Sequence, residues 1–133
     1  GATTGRPRRV GWLDLVQLRL AKRVNGLTSI ALTKIDILGG LKEIKVCTAY
    51  KIGNKTIHEM PADLTRYSKC RPVYRTLKGW PEIAPAEKKQ MIKKGLRGLP
   101  PPMQHYIRFI EQSLNLPVSL ISLGAEREAT ILR

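Results

Sequence analysis

Apolar positions recur at helical spacing from Leu13 to Val24. Leu13, Val16, Leu20 and Val24 fall on one side, with Arg19, Lys22 and Arg23 mostly on the other. Asn25-Gly26 then ends the helix as a C-cap. Thr28 to Thr33 is a short β-prone run, read as a buried strand before a polar loop. From Lys42 to Ile52 the period changes to two, so Ile44, Val46, Thr48, Tyr50 and Ile52 share one face. Gly53-Asn54 marks a hairpin turn, and Lys55 to Glu59 returns as its partner strand. Residues 60–70 read as an irregular connection. Arg71 to Leu77 is another strand, broken by Gly79-Trp80-Pro81. Ala84 to Lys94 is helical, with Pro85 in its first turn and Lys88, Lys89, Lys93 and Lys94 as a solvated face. Gly95 to Pro100 is a linker. Pro101 to Asn115 is the strongest helix, with Met103, Tyr106, Ile107, Ile110 and Leu114 as a core stripe, and Pro117 ends it. Val118 to Leu123 is a buried strand and Thr130 to Leu132 a last short one. The pattern predicts an α/β fold, a mixed sheet with flanking helices and an antiparallel hairpin.

At 133 residues the chain has room for one domain with a real core. The net charge of +14 is spread evenly: residues 1–60 carry 11 bases and 4 acids, residues 61–133 carry 13 and 6. No single basic tail accounts for it, and the balance favours anionic partners, either nucleic acid or phosphorylated metabolites. The aromatic residues are scattered and form no base-stacking motif, so a basic nucleic-acid-binding domain stands as the alternative. Cys47 lies in an apolar strand and reads as a reduced core thiol; a disulfide to Cys70 stays open. His58 and His105 are isolated, and no metal site is visible. No signal peptide or long apolar span occurs, so a soluble, cytoplasmic protein is the expectation. The start at Gly1, without methionine, suggests a fragment.

Three segments carry candidate chemistry. The first is Gly1-Ala2-Thr3-Thr4-Gly5-Arg6-Pro7-Arg8-Arg9, which holds two hydroxyls and three arginines and no acid. Arginine forks bind carboxylate or phosphate bidentately, and glycine lets the backbone approach closely. The other reading is a solvated basic terminus. The second is Thr33-Lys34-Ile35-Asp36, just after a predicted strand, where open α/β sheets bind ligands. An Asp there can accept from guanine N1–H and the 2-amino group, both of which adenine lacks. The Lys stem can lie across the base while its charge stays wet. Lys and Asp in an ordinary turn is the plainer reading. The third is Ser122-Leu123-Gly124, at a strand end, where Gly124 permits approach to a flat ring; a simple strand-ending turn has the same appearance. No Asp is paired with a histidine at a motif spacing, so the residues describe a ligand-binding piece rather than a complete enzyme. No phosphate loop of the form G-x-x-x-x-G-K-[ST] occurs, which weighs against a self-contained regulatory GTPase.

These motifs, in order, resemble the adenylosuccinate synthetase family. Ala2 to Arg9 with Gly11-Trp12-Leu13-Asp14 looks like its aspartate-binding loop. Leu27 to Leu38 looks like its guanine-recognition segment. Lys45 to Tyr50, Pro72-Val73-Tyr74, Gly79-Trp80, Ile121 to Gly124 and Arg127 to Leu132 follow as further landmarks. The resemblance runs along nearly all of the chain and covers the C-terminal part of the family's longer chain. It implies that residues 1–133 are the C-terminal part of a larger, P-loop-NTPase-like synthetase fold. The glycine-rich phosphate loop and the catalytic Asp and His belong to the missing N-terminal part. Ala125 stands where many relatives have proline, which bears on that loop's rigidity.

The resemblance implies GTP-dependent ligation of IMP and L-aspartate to adenylosuccinate, in AMP biosynthesis, through a 6-phosphoryl-IMP intermediate. Magnesium assists, with ligands expected outside this segment, and a cytoplasmic homodimer is implied for the full-length chain. Residue by residue, Ala2, Thr3, Thr4, Gly5, Arg6, Pro7 and Arg8 would enclose aspartate, Arg6 also lying near the inosine ribose. Arg8 would also reach the GTP end of the site. Lys34, Ile35 and Asp36 would hold guanine together with Ser122, Leu123 and Gly124. The segment alone is expected to be inactive.

Overall fold

The computed structural model describes residues 4–7 and 9–133. In chain order the elements are β1 (Leu13–Asp14), α1 (Leu15–Asn25), β2 (Ile30–Leu32), β3 (Glu43–Ile52), β4 (Lys55–Ile57), α2 (Leu64–Ser68), β5 (Arg71–Lys78), α3 (Pro85–Lys94), α4 (Pro101–Leu114), β6 (Val118–Ser122) and β7 (Thr130–Leu132). Short 3-10 turns cover Asp36–Leu38, Gly95–Gly98 and Arg127–Ala129.

Two mixed sheets form. In the first, β3 pairs antiparallel with β5 along most of its length. On its other edge β3 takes β1 in parallel (Leu13 opposite Val46) and β4 in antiparallel (Ile52 opposite Lys55). The β3–β4 turn is Gly53-Asn54, with Gly53 at φ +55°. The second sheet has the order β2-β6-β7. There β2 and β6 run parallel, with Leu32 opposite Ile121, and β7 returns antiparallel to β6.

The stripe predicted on α4 is buried as one face: Met103, Tyr106, Ile107, Ile110 and Leu114. It shares one core with Ile44, Val46 and Leu77 of the first sheet and Leu32, Ile121 and Ile131 of the second. Trp80 is buried there, its ring meeting Tyr106 edge-on with centroids 5.6 Å apart.

Four expectations need correction. The first helix starts at Leu15, because Leu13 and Asp14 are drawn into the parallel ladder beside Val46 and Cys47. Asp14 then caps the helix, its Oδ1 accepting from the N–H groups of Val16 (2.9 Å) and Gln17 (3.2 Å). The inner side of that helix also differs from the apolar pattern. Leu15 and Val16 are buried while Val24 is 73% exposed. Arg19 and Lys22 turn inward instead: Arg19 donates to the Thr48 carbonyl (3.0 Å), and Lys22 donates to the carbonyls of Leu114 (2.8 Å) and Asn115 (3.2 Å). Their stems cover apolar surface while their charges reach polar groups, Lys22 meeting the negative end of α4.

On β3 the two-residue period breaks at an irregularity between Cys47 and Ala49. Ile44 and Val46 face the main core, whereas Cys47 and Tyr50 join a second cluster with Val16. The connection 60–70 holds α2, nucleated by the Asp63 carboxylate, which accepts from the N–H groups of Thr65 (3.0 Å) and Arg66 (3.1 Å). Cys47 and Cys70 are free thiols, and burial, with the Asp14 charge next, raises the Cys47 pKa above its ordinary value. Among the described residues, no helix is long and apolar enough to cross a membrane.

Candidate functional site

The parallel pairing of β2 with β6 decides where two of the three predicted segments lie. Leu32 and Ile121 are the last paired residues. The next residues along each strand are Thr33 and Ser122, so both segments leave the same end of the same pair. Carboxyl ends of adjacent parallel strands are where α/β sheets receive ligands.

Past β2, Lys34 adopts a left-handed backbone at φ +58°. A non-glycine residue rarely does so, and such geometry persists where the surroundings hold it. Ile35, next along, is buried and locks the turn to the core. Asp36 opens the 3-10 turn, and its carbonyl accepts from the Gly39 N–H (3.0 Å). The turn is braced from behind. Gly40 donates to the Trp80 carbonyl at 2.9 Å. A side chain at Gly39 would meet the Glu82 Cα at 3.1 Å and the Pro81 carbonyl oxygen at 3.3 Å. The Asp36 carboxylate is thus held on a short, supported turn.

Past β6, the Ser122 hydroxyl donates to the Gly124 carbonyl (2.9 Å), and the Leu123 N–H donates to Ala129 (2.8 Å). The side chains of Leu123 and Ile35 are in the core, so their contribution to any site is through the main chain. A Cβ on Gly124 would fall 2.8 Å from Glu126 Oε2, 3.0 Å from the Ala129 Cβ and 3.6 Å from Lys88 Nζ. The absence of a side chain is what leaves space there.

Lys88 was expected on a solvated face. It instead reaches across from α3, with Nζ 3.6 Å from Asp36 Oδ2, the two side chains only 24% and 21% exposed. A hollow of about 500 Å³ is lined by Asp36, Glu82, Ile83, Ala84, Pro85 and Lys88. A second, of about 510 Å³, is lined by Lys88 together with Glu126, Glu128 and Ala129. No local pattern announces the Lys88–Asp36 contact, because β3, β4 and β5 lie between Asp36 and Lys88 in the chain.

The first predicted segment, the opening loop, precedes β1. Thr4, Gly5, Arg6, Pro7 and Arg9 are exposed, and Gly5 has φ +63°. Thr4, Arg6, Pro7 and Arg9 line an open concavity of about 810 Å³. Ala2, Thr3 and Arg8, named with them from the sequence, lie outside the described residues, as does Gly1.

The loop feeds β1, and its base is tied by a polar network that the sequence reading missed. The Tyr50 hydroxyl donates to Asp14 Oδ2 (2.5 Å), and Gln17 Nε2 donates to the Tyr67 hydroxyl (2.9 Å). Burial first, then the Asp14 hydrogen bond, raises the Tyr50 pKa. The signal available was Asp14 followed three residues later by Gln17, a helix-start pattern. Among the described residues, no group of three or more His, Cys, Asp or Glu side chains could hold a metal ion.

The fold and these segments define a mixed α/β unit, with a carboxylate and an ammonium at one strand end and an arginine-rich loop ahead of β1. The sequence profile of the adenylosuccinate synthetase family matches residues 1–131, and the chain belongs to that family. It is similar to the adenylosuccinate synthetase of Caldanaerobacter subterraneus, with 46% identity over 132 residues, covering 99% of this chain and 29% of that protein. The enzyme of Chlorobium luteolum is 45% identical over 133 residues, again 29% of its length. A solved structure described as fully ligated adenylosuccinate synthetase from Plasmodium falciparum superposes with a TM-score of 0.86 at 33% identity, covering 100% of this chain and 31% of that one. The chain therefore spans about 29% of the length of the curated relatives named here.

Proposed function

We propose that this chain is the C-terminal segment of an adenylosuccinate synthetase, supplying the guanine site and the aspartate loop. The whole enzyme would use GTP to join IMP and L-aspartate through 6-phosphoryl-IMP, as a cytoplasmic homodimer. Magnesium would be held by residues outside this segment. The observation that carries the reading is the parallel β2–β6 pair, which gathers residues 33–36 and 122–124 at one strand end.

In that site the Asp36 carboxylate accepts from guanine N1–H and the 2-amino group, and the Lys34 stem lies along the base. Ser122, Leu123 and Gly124 offer main-chain groups and the side-chain-free space at Gly124. The opening loop acts on the other substrate: Thr3 and Thr4 donate to the aspartate carboxylates, while Arg6 and Arg8 offset negative charge and position the amine for attack. Closure of the loop would keep water from the phosphorylated intermediate.

The test is Asp36→Asn in a full-length enzyme carrying this segment, assayed with GTP and with xanthosine triphosphate. The amide presents a donor where guanine has its 2-amino donor, whereas xanthine has a carbonyl there. Specificity in kcat/KM should swing toward xanthosine triphosphate by ~2–4 kcal/mol. An unchanged GTP preference would remove Asp36 from base reading.

A further inference from the structure

We propose that Lys88 is a specificity residue of the base site, donating to the 6-oxo group of the purine whose N1–H and 2-amino group Asp36 receives. This rests on the guanine-site reading above and adds a residue from a third element, α3. The observation is the placement of Lys88 Nζ, 3.6 Å from Asp36 Oδ2 and 3.6 Å from where a Cβ on Gly124 would sit. It thus stands between the two strand-end segments. Both side chains of the Asp36–Lys88 pair are partly withdrawn from solvent and partly open to the hollow beside them.

The chemistry follows from the order of groups on the base. Along its pairing edge guanine presents two donors, the 2-amino group and N1–H, and then an acceptor, O6. A carboxylate satisfies the donors. The acceptor then needs a donor immediately beside that carboxylate, and an ammonium is donor-only. Adenine would bring its 6-amino donor toward the ammonium and its N1 acceptor toward the carboxylate, a mismatch at both positions. In the empty site the same ammonium offsets the Asp36 charge, limiting the cost of holding a carboxylate partly out of water. The other carboxylates near Lys88 are Glu82, which lines the same hollow as Asp36, and Glu126 and Glu128, which line the second hollow; its ion pair is with Asp36.

The experiment compares GTP with 6-thioguanosine triphosphate, which keeps N1–H and the 2-amino group but replaces O6 by sulfur, a weaker acceptor. The proteins are the full-length wild type, Lys88→Met and Lys88→Gln. Wild type should prefer GTP in kcat/KM by about tenfold or more. Lys88→Met should lose most of that preference, and Lys88→Gln, with a neutral donor, should fall between. Thermal melts check that each variant folds, and Lys88→Gln keeps the test open if the methionine variant does not. A GTP preference identical in all three proteins would overturn the assignment, because a merely structural ion pair would lower both nucleotides together. Asp36→Asn with xanthosine triphosphate runs alongside. If Asp36→Asn switches nucleotide while the Lys88 variants keep the wild-type preference, only Lys88 is misassigned; if it does not switch, the base site itself falls.

Discussion

The strand-end site and the opening loop present opposite ways of holding functional side chains. Asp36 sits on a turn fixed by Ile35 in the core, by the Trp80 carbonyl behind it and by Lys88 across from it. Thr4 to Pro7 and Arg9 are exposed around an open concavity, ahead of the point where the chain enters β1. A group that must reject a near-identical base by leaving polar atoms unpaired needs fixed geometry. A loop that is to enclose a small charged substrate needs room to close. The difference in support therefore matches the two tasks proposed for them.

The largest effect should come from the sheet beneath the strand-end site. Ile121 is completely buried and pairs with both Leu32 and Ile131. Ile121→Ala removes packing that little can refill and should cost roughly 2–5 kcal/mol of stability. Thermal melts and guanine-nucleotide affinity would be measured together. If stability falls by that amount while nucleotide affinity at a temperature well below the melt is untouched, the strand pair is not what positions the site.

The reverse result is expected at the loop. Arg6→Leu in the full-length enzyme should lower kcat/KM for aspartate by roughly 1.5–3 kcal/mol, the scale of a hydrogen bond to a charged group. Stability should change by no more than about 0.5 kcal/mol, as for an exposed residue outside the core. A large loss of stability with normal aspartate kinetics would make Arg6 a structural residue and dissolve the contrast.

What could be read from the sequence follows the same division. The α4 stripe, the β3–β4 hairpin and the strand-end positions of residues 33–36 and 122–124 depend on local period and turn chemistry, and all were legible. The inner face of α1 was not, because Arg19 and Lys22 reach carbonyls on other elements and so look like surface in a hydropathy pattern. The slip on β3 at Cys47–Ala49 was hidden because a bulge inserts a residue without altering composition. Lys88 was hidden for the plainest reason: its partner is 52 positions away, and a lysine-rich helix face gives no sign of which ammonium turns inward.

The smallest effect separates the two regions by pH. Each has a buried phenol behind it: Tyr106 under Trp80, backing the core of the strand-end site, and Tyr50 against Asp14, behind the loop. Burial raises the Tyr106 pKa to about 12, and burial followed by the Asp14 hydrogen bond raises that of Tyr50 as well. In the unfolded chain a phenol ionises near about 10. Between that value and the folded one, the unfolded state has lost a proton that the folded state still holds. Stability is therefore complete below about pH 10 and declines as pH rises toward the folded value. Tyr106→Phe should be nearly neutral at pH 7, within about 1 kcal/mol, and should flatten the decline above about pH 10. Urea midpoints of wild type, Tyr106→Phe and Tyr50→Phe at neutral and alkaline pH would measure it. If only Tyr50→Phe flattens the alkaline limb, the region behind the loop is the one that alkali opens first, and the strand-end site is the more strongly held at high pH as well as at neutral. If Tyr106→Phe leaves the limb as steep as wild type, ionisation of the phenol under Trp80 is not coupled to unfolding.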